Sequence, residues 1–491
     1  MLAATFITKG GSFGAQIVLG WILLKEDFGV YAIAISVSSL VQVLKDGGTR
    51  KIIVQKGERR FGRLCPAVFW MALGFNLLTA LTLLFIAMPV ARIYEEPLLI
   101  PILIVLASAT VLGTPDTMFR AWLSVQLRFR DLARLQTIIG LVRSLSMILL
   151  AVSGAGVMSF AWPALIAAIS GWLIGRWMCG PLPIWGSIRF RLWPILLHSS
   201  VWMFVGSGAL MMLRQGPYMI LGLNHEAALI GVYFFAFQLL LQINQLIATN
   251  FQSVLLPALS TIGHQTKRHA HAVVRSSGAL AFIGSAFAMG VCVGIGDVVR
   301  VVWGDKWVDA IPAIQWMGLF FPFRMLQSIF EPAMISRGLY RKWAMLVILQ
   351  SVVVFCATMI ASLCFLSAAD FAMVIGAGFF VSMILAGSIG AKMIGVKPIA
   401  LAGATLPTWF IGAVLYACTL YARNLLEWNT SQSTILMLMH GILSGGVFVA
   451  MYIVVLRLLI PNTLVGMLDM IPRRYSVYFE RLLKLQLNTR L

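Results

Sequence analysis

Apolar stretches of roughly 20 residues recur along the whole chain, separated by short polar breaks. A helix needs about 20 mainly apolar residues to cross the hydrocarbon core of a bilayer. Windows of that kind fall near 3–24, 28–44, 66–88, 97–115, 134–153, 157–178, 199–222, 228–250, 273–296, 311–330, 344–366, 370–391, 401–421 and 435–459. They predict an all-α polytopic membrane protein with about fourteen transmembrane helices. Composition agrees, since 60% of the 491 residues are hydrophobic and 11% are charged. A soluble domain carries about 25% charged residues, so an ordinary soluble enzyme, a disordered chain and a collagen-like chain are excluded. The first window reaches Leu24 without a small-residue cleavage site and reads as a spanning helix, not a signal peptide. The stretch 461–491 differs: Ser476 to Leu485 reads as an amphipathic helix on the membrane surface.

The net charge of +20 comes from 37 Lys and Arg against 17 Asp and Glu. Its distribution tests the windows. With the N-terminus inside and the helices alternating, 28 basic residues fall in inner loops, helix ends and the tail, and five (Lys25, Arg92, Arg300, Lys306 and Arg423) fall outside. That is the positive-inside bias, and it places both termini in the cytoplasm. The basic excess is therefore a topology signal, and no nucleic-acid partner is expected. Four cations remain within windows: Lys9, Arg143, Arg214 and Arg324. No Asp or Glu falls well within one.

Two lobes are expected from an internal repeat. Gly29-Val30-Tyr31-Ala32-Ile33-Ala34 returns as Gly231-Val232-Tyr233-Phe234-Phe235-Ala236, each copy opening the second window of its half. Arg128-Phe129-Arg130-Asp131-Leu132-Ala133-Arg134 and Arg337-Gly338-Leu339-Tyr340-Arg341-Lys342 precede the fifth and eleventh windows at a similar offset. Six helices per half keep the repeats parallel, which suits two six-helix bundles plus two C-terminal helices. The expected divisions are an N-lobe over 1–179, a cytoplasmic linker over 180–198 with Pro181, Pro183 and Pro194, a C-lobe over 199–391, helices 13 and 14 over 392–460, and a cytoplasmic tail over 461–491.

A charged side chain costs about 2.5–3.5 kcal/mol at the centre of a spanning helix on insertion scales. Four retained cations therefore suggest a cationic cavity that receives an anion, against the alternative that their stems snorkel to the interface. Lys9 and Arg324 sit nearer the inner side, where the two readings weigh equally. Arg143 and Arg214 sit deeper and favour the cavity. Helix breakers stand close by: Gly10-Gly11 after Lys9, Gly216-Pro217 after Arg214, and Pro322 before Arg324. Gly216, Pro217 and Pro322 are thus candidate hinges, or ordinary packing kinks.

The remaining candidates are weaker. His264, His269 and His271 read as a solvated face, not metal ligands. His440 reads as a packing histidine before a proton relay. Trp303, Trp307 and Trp428 read as interface anchors, and Ser444-Gly445-Gly446 as a close-packing patch. The six cysteines form no metal or redox motif and read as small core residues. No phosphate loop, nucleophile elbow or carboxylate pair is found, so no metal, no cofactor and no enzymatic activity is expected.

Several segments resemble a known family. Leu23-Leu24-Lys25-Glu26-Asp27-Phe28-Gly29-Val30-Tyr31-Ala32, Leu127-Arg128-Phe129-Arg130, Val254-Leu255-Leu256-Pro257-Ala258-Leu259-Ser260 and Trp303-Gly304-Asp305-Lys306-Trp307-Val308-Asp309-Ala310 resemble, in order, stretches of bacterial oligosaccharide flippases. These are polysaccharide-export proteins of the multidrug/oligosaccharidyl-lipid/polysaccharide superfamily. The resemblance covers 23–310 and implies fourteen helices in two lobes around a cationic cavity. Where many members carry an acidic residue three positions after the match to Arg214, this chain has Pro217. The resemblance therefore does not extend to carboxylate-based cation coupling.

The expected activity is alternating-access translocation of an undecaprenyl-diphosphate-linked oligosaccharide (a lipopolysaccharide, O-antigen or exopolysaccharide repeat unit) across the bacterial inner membrane. Arg214, Arg143, Lys9 and Arg324 would bind its anionic head. Membrane lipids, a polysaccharide polymerase and export machinery are the expected partners. Alternatives are a lipid-linked peptidoglycan-precursor flippase or a multidrug exporter of the same superfamily. A membrane glycosyltransferase or polymerase is the alternative from another class.

Overall fold

The computed structural model describes residues 2–45, 58–184, 186, 201–425 and 434–460. The expected surface helix 476–485 and most of the expected linker lie outside the described residues, as does Trp428. Among the described residues fifteen α-helices follow one another: α1 Leu2–Ile22, α2 Lys25–Val41, α3 Glu58–Ile93, α4 Leu99–Leu112, α5 Thr114–Val125, α6 Phe129–Val152, α7 Met158–Cys179, α8 Val201–Asn224, α9 Ala227–Thr261, α10 Thr266–Trp303, α11 Ala310–Ile335, α12 Tyr340–Cys364, α13 Ala368–Met393, α14 Pro398–Leu425 and α15 Thr434–Leu459. Short 3-10 turns extend α2 over Gln42–Leu44 and α10 over Gly304–Trp307. Among the described residues there is no strand.

Every apolar window meets a helix. By length and apolarity nine of the described helices qualify as membrane spans, or ten if one bent pair counts as a single span. That is fewer than the fourteen windows. The bent pair is α4 and α5, which meet at 42°. Gly113 ends α4, and Pro115 in the first turn of α5 supplies no N–H to continue the ladder. Buried Asn76 of α3 braces the corner by donating to the Thr114 hydroxyl at 2.7 Å. Asp116 and Arg120, which the sequence assigns to a loop, pair at 2.7 Å on α5. The candidate hinges sit in helices that run on: α8 continues through Gly216-Pro217 and α11 through Pro322.

Two compact units divide the chain, Met1–Phe234 and Phe235–Leu491. In the first, α1 packs on α6, α6 and α4 on α7, α3 on α4, and α8 on α2. Apolar clusters fill these seams, including Phe61, Phe69 and Phe119 in one and Val37, Leu83 and Leu103 in another. In the second unit α10 is the hub. It packs on α11, α14 and α15, while α13 packs on α11 and α12.

The second repeat is visible in the backbone. Leu127 has a left-handed φ of 57°, one residue before the Arg128 cap of α6. Gly338 has a φ of 71°, one residue before the Leu339 cap of α12. Glycine adopts this region freely, whereas leucine is strained there.

Three expectations need correction. Trp303 and Trp307 are buried, not interfacial, because Phe235 receives both: Trp307 stacks on it at 3.9 Å and Trp303 meets it edge-on at 5.1 Å. His269 is buried, with its Nε2 3.0 Å from the Ser336 hydroxyl, while His264 and His271 are exposed. Of the six free cysteines, Cys65 and Cys292 are core residues, but Cys356, Cys364 and Cys418 are exposed.

Candidate functional site

The first unit brings two of the four membrane cations together. Their helices approach closely because Gly140 of α6 leaves room for Thr8 of α1, and a methyl group there would overlap the threonine side chain. Gly11 faces Leu141 and Ser144 across the same seam. Lys9 and Arg143 thus stand near enough to repel each other electrostatically. Lys9 is half-buried and Arg143 is exposed. Arg143 also interacts with the side chain of Tyr31 on α2. Tyr31 is itself fixed, stacked on Phe160 at 4.4 Å and edge-on to Phe234 at 6.0 Å. Three helices therefore present a positive pair beside a buried phenol.

Arg214 is exposed on α8, in the same unit, just before buried Gly216 and Pro217. Tyr94, in the connection after α3, anchors this helix by donating its hydroxyl to the Met219 carbonyl at 3.0 Å. Burial pushes the Tyr94 pKa up to about 12, so it remains a donor near neutral pH.

Arg324 belongs to the second unit. Its guanidinium carbon lies 4.5 Å from the centre of the Phe237 ring and 4.8 Å from that of Phe379. Two ring faces hold the charge by cation–π attraction. Along one face of α11 follow Gln327, which donates to Gln350 at 3.4 Å, and Glu331, which accepts from Gln252 at 3.0 Å. Beside this face, α10, α11, α13 and α14 line a mainly apolar groove with residues such as Phe323, Phe330, Met383, Leu401 and Thr405.

The sequence missed one charged group. Asp297 falls just past the ninth window, yet α10 continues to Trp303 and carries Asp297 within a long apolar helix. The signal was the apolar run Val298-Val299 and Val301-Val302, which resumes after each charge. Asp297 is buried and bonded to Arg423 and His440 at 2.8 Å each. Among the described residues no cluster of three or more His, Cys, Asp or Glu could hold a metal ion.

Known proteins give this geometry a context. Two curated relatives are the lipopolysaccharide biosynthesis protein WzxC of Escherichia coli (strain K12), 22% identical over 67% of this chain, and the succinoglycan biosynthesis transport protein ExoT of Rhizobium meliloti (strain 1021), 23% identical over 64%. The matches take in 66% and 64% of those relatives' own lengths, just under two thirds. Among solved structures, the lipid II flippase MurJ in an inward closed conformation aligns with a TM-score of 0.71 and 11% identity, over 93% of this chain and 98% of its own. An inward-facing multidrug resistance transporter of the MATE family, in the MOP superfamily, aligns at 0.66 and 13% identity, over 80% of this chain and 95% of its own. At those identities the likeness establishes the fold alone. The family model described as polysaccharide biosynthesis protein matches residues 18–312, more than half of the chain. The chain belongs to the polysaccharide biosynthesis protein family.

Proposed function

We propose that this protein is a flippase which carries a lipid-linked oligosaccharide, joined to its isoprenoid through a diphosphate, across the bacterial inner membrane. The carrying observation is the Lys9–Arg143 pair. Two cations repel across the α1–α6 seam, and a diphosphate laid over them converts that repulsion into attraction. Arginine suits phosphate oxygens because its planar fork can donate two parallel hydrogen bonds. Tyr31 stands beside that guanidinium. Arg214, exposed on α8, and Arg324, held between two rings, would contact the same head or acidic sugars during the cycle. The apolar groove between α10, α11, α13 and α14 suits a hydrocarbon chain better than a sugar. Family membership and the named roles of WzxC and ExoT support the polysaccharide assignment.

The proposed topology keeps both termini cytoplasmic and fourteen crossings, with lobes over 1–179 and 199–391 that rock to give alternating access. Gly216, Pro217 and Pro322 would absorb the bending. The protein would work beside a polysaccharide polymerase and export machinery.

Two alternatives have their own observations. One is a peptidoglycan-precursor flippase, since the chain shares its fold with the lipid II flippase MurJ. The likeness to a MATE transporter favours an exporter of cationic drugs. A drug cation calls for available carboxylates, whereas Asp116, Asp297 and Glu331, three acids carried within helices, are engaged by Arg120, Arg423 and Gln252. Deleting the gene separates the readings. A polysaccharide flippase leaves viable cells that lack one surface polysaccharide and accumulate its lipid-linked repeat unit. Inviable cells, or drug-sensitive cells with normal polysaccharide, would overturn the proposal.

A further inference from the structure

Helix α9 carries a row of glutamines that the cationic site does not use. Gln238, Gln242, Gln245 and Gln252 recur at spacings of four, three and seven residues. At 3.6 residues per turn they share an arc of about 80° on one face of the helix. The helix is otherwise mainly apolar, and Ala227–Thr261 contains no charged residue. All four glutamines are partly exposed. An amide set against hydrocarbon leaves its polar atoms unpaired, which is costly. A partly exposed row of amides at membrane depth therefore faces protein or water, not lipid tails.

A second polar row meets it from α11, within the same unit. Arg324, Gln327 and Glu331 share one face of that helix and are also partly exposed. Two ties join the rows. Next to Gln238, Phe237 lies under the Arg324 guanidinium at 4.5 Å and meets Phe321 edge-on at 6.5 Å. Further along, Gln252 Nε2 donates to Glu331 Oε2 at 3.0 Å. Gln242 and Gln245 lie between these ties along α9. Buried Gln350 of α12 accepts from Gln327 at 3.4 Å and donates to the Met383 sulfur at 3.8 Å, so the Gln327 amide is held from its far side chain partner inward.

We propose that the glutamine row of α9 and the Arg324–Gln327–Glu331 row of α11 form the subsite for the oligosaccharide of the lipid-linked substrate. The inference rests on the flippase reading and names the part of the substrate that these two helices take. A carboxamide offers an acceptor oxygen and two donor hydrogens, and a sugar hydroxyl is likewise both donor and acceptor. Gln238 and Gln242 stand about one turn apart, about 5.4 Å along the axis, a step on the scale of one sugar ring. Neutral amides match hydroxyls without the desolvation cost of ions, which suits a cargo that must be released. Other occupants fit less well. A hydrocarbon chain would leave the amides unpaired, and a cation calls for carboxylates, of which Glu331 is already engaged by Gln252.

Equilibrium binding to the whole protein in lipid nanodiscs tests the subsite. One probe is the lipid-linked oligosaccharide that accumulates in the deletion strain. The other is a polyprenyl diphosphate of the same chain length without sugars. The wild type should bind the glycosylated lipid about tenfold more tightly or better, because a site built to hydrogen-bond hydroxyls discriminates against a ligand that lacks them. The double variant Gln242→Leu/Gln245→Leu should lose that preference, while its affinity for the bare diphosphate lipid stays within about twofold of the wild type. Gln327→Leu, on the facing row, should lose part of the preference in the same way, and it carries the test should the double variant not fold. Equal affinity of the wild type for both lipids, or a preference that survives in the folded variants, would overturn the subsite and leave the flippase reading standing. A deletion strain that accumulates no such lipid, or a wild type that binds neither probe, would overturn the flippase reading and the subsite with it.

Discussion

Gly29 on α2 and Gly231 on α9 are equivalent positions of the internal repeat, and each makes room for the other's helix. A methyl group on Gly29 would overlap the Ala227 carbonyl, and one on Gly231 would overlap the Lys25 carbonyl. The repeated Gly-Val-Tyr motif is therefore a reciprocal crossing of two helix starts at backbone contact. In each case the obstacle is main chain, which cannot rotate aside. Gly29→Ala and Gly231→Ala are each expected to cost about 1–3 kcal/mol or more. Thermal unfolding in detergent should show a clear drop in Tm for either, larger than for Gly446→Ala, whose added methyl group meets open space.

The left-handed residues that precede α6 and α12 should respond in opposite directions. Leu127→Gly removes the strain of a leucine at φ 57° and should stabilise the protein by about 1 kcal/mol, less the cost of a more flexible unfolded chain. Gly338→Leu introduces the same strain and should destabilise by about 1–2 kcal/mol. Paired melting curves of the two variants read both effects.

Much of the fold was legible because a bilayer admits few solutions. Each apolar window met a helix, and the repeated motifs proved to be a reciprocal glycine crossing and a pair of matched left-handed turns. What escaped depended on partners far apart in sequence. Asp297 looks like a loop residue until Arg423 and His440 are beside it, 126 and 143 positions away. Trp303 and Trp307 look like interface anchors until Phe235 covers them. The bend lies after Gly113, whereas α8 continues as one helix through Gly216-Pro217. Of the site, the four cations were readable as residues the membrane disfavours. The pairing of Lys9 with Arg143, and the tyrosine beside it, were not.

Tyr31 provides a graded test of that pairing. Tyr31→Phe keeps the stacking on Phe160 but removes the hydroxyl that interacts with Arg143. Export of polysaccharide should fall by about tenfold, in line with the loss of one polar interaction of about 1–1.5 kcal/mol. Arg214→Ala should abolish export and Arg143→Gln should lower it about tenfold or more, each while leaving the protein inserted in the membrane. Full export by either of these two variants contradicts their role in binding the head.

Glu96, in the connection after α3, has its carboxyl pKa raised by burial. The folded protein therefore holds that proton more tightly than the unfolded chain does. The stability this group contributes is complete below the ordinary carboxylate range and is lost as pH rises through the raised value. Glu96→Gln should accordingly melt higher than the wild type near neutral pH, and the difference should vanish in acid. Melting curves across that range check the sign.

The central claim is that Lys9 and Arg143 bind a diphosphate so that its lipid can be moved. The direct measurement uses purified protein in liposomes, with the lipid-linked oligosaccharide that accumulates in the deletion strain, labelled on its sugar and followed with a membrane-impermeant quencher. The wild type should translocate that lipid, a dephosphorylated analogue should cross about tenfold more slowly or worse, and Arg143→Gln should lower the rate by a similar factor, the equivalent of about 1.4 kcal/mol. Translocation that is indifferent to the diphosphate, or a rate unchanged in Arg143→Gln, would contradict the account.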